Sequence, residues 1–325
     1  MPNEEWEVPE AFQPNPADYA FPLRERLDSV VALRSLIPPD ATSAAALGTE
    51  REGSGVWIDE SGLVLTIGYL ITEAETVWIT GNDGQVVQGT PLAMDFETGF
   101  GLVQALGRMR GIKVAPLGDS EGLRDASACV LAAAGGMDHA LACAVAARQP
   151  FAGYWEYLLE NAIFTAPAHP HWGGAALFGP DGRLCGIGSL ILQHGEGRGK
   201  RVDLNMVVPI APLLPILETL RRTGVSGRPV PPWLGLYATE EEDAVGVGSL
   251  AKGGPAERAG VKPRDRILAV DGQTVTDLVE LWGAVRAAGP AGSVVRLSLA
   301  RGAKRLDLDI TTSDRTRHLK APRLH

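Results

Sequence analysis

The chain has 325 residues, 45% of them hydrophobic, and a formal net charge of −9, so it is long enough for two domains with ordinary cores. That acidity argues against a nucleic-acid binder or a protein held on anionic membrane, and no apolar run approaches the roughly 18 residues that a membrane span requires. Three cysteines without CxxC spacing exclude a disulfide framework and read as buried structural thiols.

Residues 1–26 are rich in proline and acidic side chains, with Trp6, Phe12, Tyr19 and Phe21 interspersed. They read as an arm lying on its own domain or on a neighbouring subunit. The arm has neither a basic n-region nor an apolar h-region, which implies a cytoplasmic protein as the sequence stands and a periplasmic one if a leader was removed.

From residue 27 the pattern becomes β. The runs 29–33 (SVVAL), 55–59 (GVWID), 63–67 (LVLTI) and 76–80 (TVWIT) are short, β-branched and separated by turn residues. A second set follows at 128–134, 140–147, 162–166, 184–192 and 205–209. Its alanine-rich members suit a helix by propensity, but their length and flanking turns predict strands. Regular short strands of this kind predict a barrel or sandwich. Helical spacing starts at Leu213 and runs to Arg222, and 228–233 (RPVPPW) reads as a linker. Beyond it, residues 229–313 have their own order of strand, Gly-rich turn, short helix, two strands, helix 276–289 and strand. No short-period repeat is present, and nothing calls for a cofactor.

Several motifs in this layout resemble the HtrA/DegP family. Pro255-Ala256, Ala259-Gly260, Asp265, Ile267, Val270 and Asp271-Gly272 resemble the family's PDZ pattern, with Arg264 where glycine is usual. The stretch 53–66 (GSGVWIDESGLVLT) is similar to the entry into the protease barrel. Residues 83–106 are similar to its next strand pair, and 116–124 to the connection between barrels. The resemblance implies a mostly β chain: a chymotrypsin/trypsin-like double β-barrel over 27–225, a linker at 226–232, an α+β PDZ domain over 233–313 and a tail at 314–325.

The catalytic positions depart from that pattern. Where HtrA proteins read LTNNHVV this chain reads Leu65-Thr66-Ile67-Gly68-Tyr69-Leu70-Ile71, so Tyr69 stands at the base position. Where they read TDLAVLK, Gly99 stands at the aspartate position. Where they read PGNSGGPL, a gapless alignment puts Gly173 at the nucleophile position, and a one-residue slip would put Trp172 there. His171 takes the place of the glycine that shapes the oxyanion turn. Independently of any alignment, the first histidine in the chain is His139, so the first barrel supplies none. Acyl transfer needs a base that reaches the hydroxyl and a group that orients the base. Tyrosine is a poor base, with a reference pKa about 3–4 units above histidine's. Ser54 and Ser189 have no motif around them.

The resemblance therefore implies a pseudoprotease that serves as a polypeptide-binding scaffold or adaptor. An active HtrA-type serine endopeptidase in protein quality control, with a rearranged site, is the alternative. A second alternative is a metal-binding pseudoprotease: His169 and His171 point the same way on an extended segment, but zinc wants three or four ligands. Trp172 is expected to fill the emptied cleft, against Tyr69.

A PDZ domain captures a chain terminus by strand addition, with the carboxylate on backbone N–H groups. Trp233-Leu234-Gly235-Leu236 is similar to the family's carboxylate loop, and Leu236-Tyr237-Ala238 would be the strand offered to the peptide. Leu278, Trp282 and Val285 are the groove-facing positions of the 276–289 helix, and they favour an apolar ligand side chain. The implied partner is a protein or peptide C-terminus. Resemblance further implies a homo-oligomer, commonly a trimer assembled through the N-terminal region.

Overall fold

Alternation of apolar side chains, more than residue propensity, sets the strands of this protein. The structure, a computed structural model, describes residues 6–196, 200–241 and 244–320, so the ends of the sequence-defined arm and tail, 1–5 and 321–325, lie outside the described residues. It divides into two compact units, one of residues up to 149 with 161–227, the other of 150–160 with 228–320.

In the first unit, β1 (Val30–Leu36), β2 (Glu50–Trp57), β3 (Leu63–Ile67), β4 (Thr76–Thr80), β5 (Val86–Met94) and β6 (Phe100–Ala105) close into an antiparallel barrel in the order β1-β2-β3-β6-β5-β4. A second barrel is built from β7 (Ala128–Ala132), β8 (Ala140–Gly153), β9 (Tyr157–Ala166), β10 (Ala176–Phe178), β11 (Leu184–Glu196) and β12 (Lys200–Pro209), in the order β10-β11-β12-β9-β8-β7. Closure pairs every edge.

The alanine-rich runs are strands because alternate residues are large. Cys129 and Leu131 on β7, with Cys143 and Val145 on β8, turn to one core beside Ile163, Leu177 and Val207. All three cysteines are free and buried. Burial pushes the Cys143 thiol up to about 12 and that of Cys185 to about 11, so both stay protonated at neutral pH.

Two details differ from the sequence expectation. The helix after β12 is Leu217–Thr223 and does not begin at Leu213, because Pro215 brings no N–H to a helical turn; Gly224 closes it at φ +76°. The arm lies on its own unit. Val8 N–H donates to Asp138 O at 2.7 Å, Leu23 and Leu27 are buried, and the Phe21 ring covers Gly182.

The second unit holds a sheet in the order β13-β14-β15-β17-β18, built from β13 (Leu236–Glu241), β14 (Ala244–Leu250), β15 (Arg266–Val270), β17 (Val294–Arg301) and β18 (Lys304–Thr311), with β16 (Gln273–Thr274) beside β15. The helix Leu278–Ala287 starts at Asp277, whose side chain accepts Glu280 N–H, and presents Leu281, Trp282 and Val285 to the core. Arg264 sits at φ +72°, which explains why glycine suits that position; the following Asp265 is buried in a two-pronged ion pair with Arg301.

Candidate functional site

Two places concern function, one in each unit. In the first unit, β3 runs into a tight turn, Gly68–Leu70, that presents Tyr69. The nearly buried Arg51 braces this turn from behind by donating to the carbonyls of Tyr69 (2.7 Å) and Thr72 (3.0 Å). Gly68 N–H donates to Gly99 O at 2.8 Å, and Gly99 has φ +84°, so Gly99 lies against the turn that carries Tyr69.

Tyr69 Oη donates to Ser189 O at 3.0 Å and also meets the Trp172 side chain; burial pushes the phenol well above its ordinary value. A Cβ built on Gly173 would lie 2.9 Å from Tyr69 Oη. The geometry sets Gly173 opposite the buried phenol of Tyr69, while the indole of Trp172, which that phenol also meets, is half-buried. Gly173 O is held by Ser54 N–H at 2.8 Å, and Gly174 at φ +78° passes so close to Ser54 O that no Cβ fits.

His169 is fully buried. Its Nδ1 accepts His171 N–H at 2.9 Å, so its Nε2 carries the proton and donates to His139 O at 3.1 Å. Asn205 grips the His169 backbone on both sides, accepting its N–H and donating to its carbonyl. Two consequences follow. The imidazole has no lone pair left for a metal. The His171 N–H is spent on a ring nitrogen. Burial pushes His169 down to about 4. Among the described residues, no group of three or more His, Cys, Asp or Glu side chains is placed to hold a metal ion.

In the second unit, Gly235 at φ +75° turns the loop between Trp233 and Leu236. Leu234 N–H and Leu236 N–H converge on one carboxylate, that of Glu156, at 2.7 and 2.8 Å. Ala238 N–H, on the free edge of β13, donates to Tyr154 O at 2.9 Å. Tyr237 is half-buried, its ring 6.4 Å from that of Tyr154. Of the helix positions, Trp282 donates its Nε1–H to Gly153 O at 2.8 Å, while Leu278 and Val285 are buried in the core of the unit. Trp233 turns elsewhere. Its backbone pairs with Ser313 and its ring packs 4.5 Å from that of His318. Sequence reading missed Glu156, Tyr154 and Arg315, the last of which donates to Trp155 O. Arg315 lies in the segment read as a tail, and no local motif marks any of the three.

A trypsin-like peptidase domain model matches residues 53–187, and a PDZ domain model matches residues 232–312. The HhoA protein of Synechocystis sp., named a serine protease, is 28% identical over 290 residues, which is 81% of this chain and 70% of that protein. The periplasmic pH-dependent serine endoprotease DegQ of Escherichia coli is 27% identical over 278 residues, 82% of this chain and 60% of DegQ. A DegP-like endoprotease of Halomonas elongata is spanned for 56% of its length. Among solved structures, the HtrA-type protease AlgW with a decapeptide shares the fold at a TM-score of 0.54 and 20% identity, over 91% of this chain and 97% of that one.

The crowding at Gly173 predicts that Gly173→Ser costs about 1–3 kcal/mol in urea unfolding. In a Tyr69→Phe background, where the nearest ring atom is 3.9 Å away, the cost is smaller by about 1 kcal/mol. Equal costs in the two backgrounds would contradict the contact. For His169, a folded pKa of about 4 lies below the ordinary 6.5, so the unfolded chain binds the proton first. Stability from this group is complete above pH 6.5 and falls by about 2–4 kcal/mol between pH 6.5 and 4. Urea midpoints across that window should be flatter for His169→Asn than for wild type.

Proposed function

The chain belongs to the HtrA-like proteins, a trypsin-like peptidase domain followed by a PDZ domain, and from that premise we propose that it binds polypeptide without cutting it. The observation that carries the reading is the pair of N–H groups on Leu234 and Leu236, which converge on a carboxylate. This is how a strand-adding groove holds a chain terminus. The occupant is the free C-terminus of a partner protein whose last residues are apolar, since Leu236, Leu278, Trp282 and Val285 are buried and apolar. Support for the absence of cutting comes from the other unit. Tyr69, Gly99 and Gly173 stand at the catalytic positions, and the phenol fills the space where a nucleophile would be. An active endopeptidase would have to draw a serine, base and orienting group from elsewhere. Ser54 and Ser189, the isolated serines, are both buried, and Ser54 Oγ accepts Ala134 N–H.

We extend the proposal to assembly and location. Phe12 and Trp6 stand 52% and 39% exposed on the arm, which supports a homo-oligomer assembled through the arm, a trimer by resemblance. The naming of DegQ as periplasmic supports a periplasmic setting. Among the described residues, no helix is long and apolar enough to cross a membrane.

Two assays test this reading together. A fluorophosphonate probe should label no serine, and labelled casein should stay intact. In fluorescence anisotropy, a mixture of labelled decapeptides ending in free Val, Leu or Phe should bind, and amidating the same peptides should weaken binding about tenfold or more, since the charged terminus is lost. Serine labelling would establish the endopeptidase instead, and equal binding of amidated peptides would remove the groove from the account.

A further inference from the structure

The carboxylate in the loop belongs to the chain itself. We propose that the tip of the β8–β9 hairpin, residues 153–158, is a tethered internal ligand of the PDZ groove, with the Glu156 side chain standing in for a peptide's terminal carboxylate. The inference rests on the reading of this loop and strand edge as a peptide site.

The hairpin tip supplies the register, the carboxylate and the apolar anchor that a captured C-terminus would bring. The register is that of antiparallel strand addition: residue 154 meets residue 238 through Ala238 N–H and Tyr154 O, and residue 156 meets residue 236 through Leu236 N–H and the Glu156 carboxylate. As numbers rise on one side they fall on the other by the same step. The carboxylate takes both loop N–H groups. Leu158 is buried in the core of the second unit together with Leu234, Leu236, Trp282 and Val285, and serves as the apolar anchor. Trp282 adds a hydrogen bond to Gly153 O. Arg315, which donates to Trp155 O, lends a positive charge to Glu156.

This occupancy has opposing costs. Glu156 adopts φ +61°, the left-handed region that a residue with a Cβ avoids. Burial pushes its carboxyl up to about 7 in spite of the loop N–H groups and Arg315, so the ionised form is held against a desolvation penalty. A latch with such costs can be displaced. Because it is tethered, its effective concentration is of the order of millimolar, and a free peptide must compete with it. The affinity measured for any partner is then reduced by the fraction of time that the groove stands open. Capture of a terminus and release of the hairpin are one exchange.

The test compares the full-length chain with Glu156→Gly, which removes the carboxylate and suits the left-handed backbone, and with Leu158→Ser, which removes the apolar anchor. Thermal unfolding checks that each variant is folded; two substitutions at different points of the tip guard against one of them failing to fold. The probe is the labelled decapeptide mixture ending in free Val, Leu or Phe, and the second readout is hydrogen exchange at the Ala238 amide. Each folded variant should bind the peptides about tenfold or more tightly than wild type, and the Ala238 amide should exchange faster in the variant without peptide. Equal affinity and equal exchange, with binding intact, would overturn the internal ligand and leave the groove standing. No binding by any form, with no effect of amidation, would overturn the groove itself.

Discussion

Tyr69 Oη donates to Ser189 O at 3.0 Å and stands 2.9 Å from where a Cβ on Gly173 would be. That contact ties the turn after β3 to strand β11 and leaves no room for a side chain on Gly173. Around it, Gly99 brings no side chain to the turn, and His171 donates its N–H to His169 Nδ1. A side chain withdrawn from water with its only proton committed to a carbonyl is a packing group, and the barrels close on it as they would on any core tyrosine.

In the second unit, the groups that meet a carboxylate are backbone donors. Two N–H groups separated by a glycine with positive φ cannot be satisfied by one another, and an edge strand leaves every second N–H and C=O unpaired. Something must answer them, whether water, a partner or the chain itself. In this protein the hairpin tip answers them, which makes the groove a competition between a tethered strand and a free one. The physics is that of the free peptide throughout; only the covalent origin of the carboxylate differs.

The sequence made most of the fold legible and only part of the site. Short runs with flanking turn residues located four strands of the first barrel and five of the second, while β5 and β6 came only from the family resemblance and the three-residue β10 was too short to read. Period-two alternation outweighed alanine's helix propensity at β7 and β8 because Cys129, Leu131, Cys143 and Val145 need one shared core. The helix start was misplaced where apolar spacing continued through Pro215. The loop Leu234-Gly235-Leu236 could be read from its glycine, and Tyr69, Gly99 and Gly173 could be read as departures from the family's motifs. Glu156 was not readable. It is one glutamate among many, about 80 residues from the loop it serves, and the left-handed position of its turn carries Glu156 rather than a glycine that would signal it. Trp233 was read as a groove residue from its neighbours, but its ring belongs to His318 and its backbone to Ser313.

The central claim is capture of a terminus without cleavage, and native mass spectrometry tests both halves at once. The protein is incubated overnight with a decapeptide ending in free valine, and the complex and the peptide are then weighed. The account predicts a complex that carries one peptide per chain at its intact mass, with all of the unbound peptide also intact. Peptide fragments that accumulate with time, or intact peptide that never appears on the protein, would contradict it.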